Sequence, residues 1–367
     1  MVAMMFSQVL NRQVRSGDWV DQKLSTFRII GTALDEGRWK DAAELSDYFV
    51  VEAKVCWDLY RQWRCDLEDY LLNNGVSEED LTVIKAEIAE LTLMPDESVF
   101  EPETEWQKFN NEIAEVIAAC GRHEAADAHA KIASAKESWR RTHDRDVDTI
   151  YAYTSEVSGR LGEDAILDMW KKVLQPWFDG RYKRFDVDSF EWSESLDVLM
   201  YVTFEAMRGH LVGPERTGDI GLEEFDDRYV FSFDPCGSGG RSVRGDNIEG
   251  TGPRMEPPYN WKVSEEPHDW NHYTPGVCLY CAHCIVLTEQ MPMDHFGYPV
   301  RVIDPPIYAP GDDAAPKQCK WTVYKDPTAV PEEFYTRAGR TKPTSFGSEG
   351  LNGEKVFLGD IQMRPDE

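Results

Sequence analysis

Basic side chains are in short supply. Against 67 Asp and Glu the chain sets 39 Lys and Arg, a formal charge of -28 over 367 residues, and so acidic a protein lacks the net basic face that a nucleic-acid groove or an anionic membrane surface requires. Long apolar runs are missing too. None reaches the roughly 18 residues that span a bilayer, and the opening stretch breaks at Arg12 and Arg15 before it builds the apolar core and cleavage site of a secretory signal. The chain therefore reads as cytoplasmic, in a compartment where thiols stay reduced. Its eight cysteines are then expected to serve metals or chemistry and not disulfides. Four catalytic signatures are absent: G-x-G-x-x-G, G-x-x-x-x-G-K-[ST], G-x-S-x-G and H-E-x-x-H. Their absence argues against dinucleotide or nucleotide binding, a serine hydrolase and a zincin.

What is present is enough for a sizeable core, with 41% hydrophobic residues and a length that suits two domains. From Asp18 to about Phe178 apolar residues recur at three and four, as in Ala42, Leu45, Phe49, Ala53, Trp57, Tyr60 and Trp63, the stripe of amphipathic helices. Asn73-Asn74-Gly75 followed by Ser77 reads as a helix stop and a capped restart. Gly37-Arg38 with Ala42-Ala43 and Trp57 is echoed by Gly121-Arg122 with Ala125-Ala126 and Trp139, which suggests two similar helical hairpins. Further helices are expected to stop at Pro176 with Asp179-Gly180 and near Gly209. Alternating strand-like runs then follow at Tyr229 to Phe233, Val300 to Ile303 and Lys320 to Tyr324. The expected fold class is α+β: an N-terminal all-helical region over 1–160, then an α+β domain over 161–335 with a small antiparallel sheet and a cysteine-rich metal site. An extended C-terminal arm over 336–367 would pack on the domain or on a second copy of the chain in a homo-oligomer. The Gly- and Pro-rich stretch from Gly237 to Pro275 is too long for an ordinary connection and reads as functional.

Cys56, Cys65 and Cys120 lie in helical segments, where cysteine packs as a small apolar residue. The other five fall within 84 residues: Cys236, the run Cys278-x-x-Cys281-x-x-Cys284, and Cys319. Three thiolates in seven residues converge when the backbone wraps around one point, as the first ligands of a [4Fe-4S] cluster do, with Cys236 or Cys319 as the fourth. A Zn2+ site could instead use one pair with His283 or Cys284 and a remote cysteine. Were 278–284 helical, the three side chains would simply pack. His268, His272 and His283 stand beside the run and are the candidate proton-transfer residues, with Glu289, Asp294 and His295 downstream. A Cys–His nucleophilic pair using Cys236 or Cys281 is a further alternative. After Cys236, Gly237-Ser238-Gly239-Gly240 forms either an anion-binding nest, with Arg241 and Arg244 clamping a substrate carboxylate, or a tight turn.

The helix LGEDAILDMW, the strand RYVFSFDPC, the segment GVCLYCAHC, then FGYPVRVID and KQCKWTVYK together resemble the aminothiazoline-carboxylate hydrolase family and, more distantly, vinyl-reductase-type small-molecule-binding domains. The resemblance covers the second half of the chain. It implies an α+β domain that holds a small organic molecule near cysteines and opens a C–N or C–S bond. With the residues, it sets the expected function as a metal-dependent, thiolate-ligated hydrolase or lyase acting on a small carboxylate-bearing molecule at a C–N, C–S or C–O bond. The alternative is a small-molecule-binding or sensor protein with a structural zinc or iron–sulfur site.

Overall fold

The computed structural model describes residues 2–8, 10–311 and 316–344. The 336–367 arm therefore lies largely outside the described residues. A hairpin of β1 (Met4–Ser7) and β2 (Arg12–Arg15) opens the chain, followed by α1 (Trp19–Gln22), α2 (Thr26–Asp35), α3 (Trp39–Asn73), α4 (Glu78–Leu91), α5 (Pro102–Gly121), α6 (Ala125–Leu161), α7 (Ala165–Arg181) and α8 (Trp192–Gly209). Beyond these come β3 (Gly221–Glu224), β4 (Arg228–Phe233), α9 (Gly239–Arg244), α10 (Ala282–Ile285), α11 (Met291–Phe296), β5 (Val302–Asp304), β6 (Cys319–Tyr324) and α12 (Glu332–Arg337). Strands β3 to β6 form one antiparallel sheet in the order β3-β4-β6-β5. Among the described residues no helix is long and apolar enough to cross a membrane.

Spacing explains α3. Its buried positions Ala42, Leu45, Phe49, Ala53, Cys56, Tyr60, Trp63, Leu67 and Tyr70 step by three and four, so a single stripe faces α2, α5, α6 and α8 along its length. Ser77 caps α4 by accepting the Asp80 N–H at 3.0 Å, and Pro102 occupies the first turn of α5, where its missing N–H costs nothing. Both Gly-Arg pairs sit at helix–helix turns, Gly37-Arg38 before α3 and Gly121-Arg122 between α5 and α6. The two turns meet where Trp39 stacks on His123 with ring centroids 5.1 Å apart.

Two expectations need correction. Pro176 does not end α7, which runs on to Arg181, because buried Phe178 stacks on Phe296 and Tyr182 and that packing carries the helix past its missing N–H. Nor is the first region all-helical. The hairpin β1–β2 docks on the helices through charges that look solvated in sequence: Arg12 makes two hydrogen bonds to Glu205 on α8, at 2.8 and 2.5 Å, and Glu205 also accepts from Tyr48 of α3. Arg15, fully buried, donates to the Leu24 and Asp21 carbonyls and to Thr26.

Burial would raise the Glu205 carboxyl, but the Arg12 and Tyr48 hydrogen bonds hold it below its ordinary value of 4.5. A depressed folded-state pKa contributes stability that is present above about pH 4.5 and lost as pH falls. Arg12→Ala should therefore cost about 3 kcal/mol in urea unfolding at pH 7, and the gap from wild type should shrink below pH 4. A variant within 0.5 kcal/mol of wild type at pH 7 would show that the hairpin is held by other contacts.

Candidate functional site

Three separate segments bring cysteines to one place. Strand β4 ends at Phe233, and the chain turns through Asp234-Pro235 to put Cys236 at the edge of the sheet. Phe233 is paired with Cys319 in the β4–β6 ladder, so the register of the sheet delivers the second thiol. The third segment is the turn at 278–281 leading into α10, which supplies Cys281 and Cys284. Cys236, Cys281, Cys284 and Cys319 line one small cavity of about 40 Å3. Its remaining wall is partly polar, with His210, Ser238, Tyr280 and His283, and partly apolar, with Met207, Ile303, Pro305, Pro306 and Trp321.

Glycines permit this convergence. A Cβ on Gly239 would lie 2.2 Å from the Cys281 sulfur and one on Gly240 3.1 Å from the Cys236 sulfur, while a Cβ on Gly237 would collide with the His210 carbonyl oxygen at 1.7 Å. The Gly-rich stretch after Cys236 is thus a turn that lets thiols and backbone close on each other.

The thiols are unequal. Cys236 is pushed down to about 6, first by a hydrogen bond from Cys319 and then by N–H groups of Gly240 and Ser238; the Gly240 N–H lies 2.9 Å from its sulfur. Cys319, as the donor, is driven well up by the same contact and by burial. A second pair repeats the pattern. Burial would raise Cys278, but contacts with the Cys281 side chain and backbone bring it down, and Cys281 rises because of that contact and its own burial. Burial also raises Cys284. His283 is depressed to about 4 by burial; its Nδ1–H donates to the Tyr280 carbonyl at 2.5 Å, leaving Nε2 to accept from the Cys284 thiol at 3.2 Å. The cysteines thus meet in pairs. Among the described residues no three His, Cys, Asp or Glu side chains converge on one ion-sized point.

A second set of polar side chains reaches the cavity from the helical half. On α6, Asp144 accepts from His143 Nδ1 at 3.0 Å, and His143 Nε2 lies 2.9 Å from His210 Nδ1. The Tyr60 hydroxyl of α3 lies 3.2 Å from His210 Nδ1 and 3.0 Å from the Tyr280 hydroxyl. Burial, reinforced by His143, His283 and Arg216, depresses His210 well below its ordinary value. Burial would raise Asp144, but Arg216 at 2.6 Å and Arg241 hold it well below the usual carboxylate range. Sequence reasoning passed over Tyr60, His143, Asp144 and His210. His143 and Asp144 are neighbours, but the contacts that bring His210 to His143 and to Tyr60 span 67 and 150 positions, and no local spacing announces that.

The sequence candidates divide. His283, Cys236, Cys281, Cys284 and Cys319 are at the cavity. Cys278 is not on its wall and sits behind, with Cys281 and Tyr151. His268 stacks on Trp270 and pairs with Glu163 at 3.2 Å. His272 holds buried Glu289 at 3.0 Å, and Glu289 in turn accepts the Ile303 N–H, so both histidines are ties between loops and helices. Arg241, expected as a carboxylate clamp, is buried against Asp148 at 2.5 Å, with Asp144 and Asp246 within 3.7 Å. Arg244 is taken by Asp234 and the Lys317 carbonyl. Among the described residues no Lys or Arg lines the cavity. Comparison with known proteins found no family model, curated protein or solved structure that matches the chain.

The unequal thiols predict a labelling order in metal-free protein. Exposed Cys65, raised by burial and neighbouring carboxylates, should lose iodoacetamide reactivity about tenfold per pH unit below neutrality. Cys236 should keep most of its rate down to about pH 6. Parallel pH profiles for the two, resolved by peptide mass spectrometry, would contradict a stabilised Cys236 thiolate.

Proposed function

We propose that the chain is an iron–sulfur enzyme that acts on a small organic molecule. The single observation behind this reading is that four thiols from three distant segments line one cavity. A cubane takes four thiolates spread around a body several ångströms across, whereas a zinc ion needs its donors at about 2.3 Å from one point. Donors that surround a space without meeting at a single ion suit the cluster better than Zn2+. The two sulfurs seated against Gly239 and Gly240 fit the group as well, since side chains there would fill the space it needs. Cys236, Cys281, Cys284 and Cys319 would hold it, and when bound it would supply electron transfer or a Lewis-acid iron.

The rest of the wall supports an enzyme over a closed carrier or sensor. His210 and Tyr280 share the cavity with the thiols, and a purely structural cluster has no use for a hydrogen-bonded histidine pair beside it. The apolar side, with Trp321 and Ile303, would hold the body of a ligand while the histidine meets its polar atom. Hydrolysis or elimination at a C–N, C–S or C–O bond, the chemistry implied by the resemblance to aminothiazoline-carboxylate hydrolases, needs such a proton acceptor. A wall without Lys or Arg among the described lining residues favours an uncharged substrate. A second reading rests on the neighbouring positions of Cys236 and Cys319, set by the β4–β6 register: a metal-free dithiol, one thiol lowered and the other raised, exchanging with disulfides.

Iron, acid-labile sulfide and the visible spectrum of anaerobically purified protein separate the two. The cluster reading expects stoichiometric iron and a broad absorption in the blue, lost in Cys281→Ala and Cys284→Ala and retained in Cys278→Ala. Colourless, iron-free protein that forms a Cys236–Cys319 disulfide with oxidised glutathione would establish the dithiol instead.

A further inference from the structure

The pair His143–His210 has a direction. Because Asp144 accepts from His143 Nδ1 at 3.0 Å, the neutral His143 ring has no proton on Nε2, and that nitrogen must accept. Its nearer partner, at 2.9 Å, is His210 Nδ1, with the Tyr60 hydroxyl at 3.4 Å; two bare nitrogens would repel at 2.9 Å, so His210 Nδ1 carries the proton. The tautomer of His210 is thereby set, with Nδ1 protonated and the Nε2 lone pair free. His210 borders the cavity and is partly exposed to it, whereas His143 is fully buried. Nε2 of His210 makes no hydrogen bond to any described residue. The carboxylate that begins the chain cannot reorient, since Arg216 and Arg140 hold it at 2.6 and 3.1 Å.

We infer that the cavity takes a small uncharged molecule with an O–H, N–H or S–H donor, and that His210 Nε2 is the acceptor of its hydrogen bond. His143 and Asp144 hold His210 in the tautomer that keeps this lone pair available. The uncharged ligand follows from the wall, where no Lys or Arg is among the described lining residues. Because burial keeps His210 neutral at neutral pH, it meets the ligand as an acceptor. This inference rests on the cavity being a small-molecule site and not on which cofactor the thiols hold.

Diethyl pyrocarbonate, which acylates unprotonated and accessible imidazole nitrogen, tests it in the protein as purified, with peptide mass spectrometry as the readout. His210 should react about tenfold or more faster than His143. Phenol, neutral with a weakly acidic O–H, should slow His210 acylation several-fold at millimolar concentration, while benzoate, similar in size but anionic, should leave it unchanged. Phenol should also lose its binding in His210→Gln, and His143→Gln, which keeps an acceptor for Nδ1–H, should retain it. Equal reaction of His143 and His210, or equal protection by benzoate, would overturn the inference. Iron content read on the same samples shows separately whether the cluster reading holds.

Discussion

Two carboxylates one turn apart on α6, Asp144 and Asp148, hold the second half of the molecule in place. Each is fully buried or nearly so, and a buried carboxylate persists as an anion only when paired and hydrogen-bonded. Their partners are Arg216 from the segment after α8, Arg241 from α9 and Arg254 from the long irregular stretch, with Arg254 on Asp148 at 3.0 Å. That stretch, 237–275, has little regular structure to place it. The arginines do so instead, and Cys236 lies five positions before Arg241. Removing either carboxylate would take from these buried arginines their nearest counter-charge, so the geometry of the thiols depends on an ionic contact with a helix from the other half of the chain.

The same Asp144 also fixes His143, and through it His210. One side chain therefore positions both the loop that carries the thiolate and the imidazole that faces it across the cavity. Placed on a 37-residue helix that is packed along its length, the carboxylate is more rigid than either loop it organises, which suits a site whose parts come from loops.

Much of the scaffold was legible because it obeys a period. The stripe of α3, the Ser77 cap and the strands at 229–233 and 320–324 follow from alternation and capping alone. What escaped was charge that is buried. His143-Asp144-Arg145-Asp146 in α6 reads as a solvated face, yet every residue from Thr142 to Ile150 is buried, because the compensating arginines lie 70 to 110 positions away, as in the 72 between Asp144 and Arg216 and the 106 between Asp148 and Arg254. Arg12 is a similar case, its partner Glu205 lying 193 positions away. Arg241 after a Gly-rich turn looked like an anion clamp, and the clamp is real, but the anion is Asp148 of the chain itself. The five crowded cysteines did point to the right place, since their spacing is local; which four border the cavity depends on the sheet register, and that is not.

The electrostatics of the cavity tie its two contents together. Two of the thiols are lowered, Cys236 and Cys278, and the compensation for Cys236 comes from N–H dipoles and a neighbouring thiol, not from a cation. An anionic ligand about 4 Å from such a thiolate would meet a repulsion of about 4 kcal/mol at an effective dielectric near 20, in a chain whose net charge of -28 adds to it. A metal centre of net positive charge would relieve the thiolates, and a neutral ligand would avoid the repulsion. The arginines that might have served an anion are the ones spent on Asp144 and Asp148. Holding the loops by ion pairs beneath the cavity thus leaves the described part of its wall without a cationic side chain.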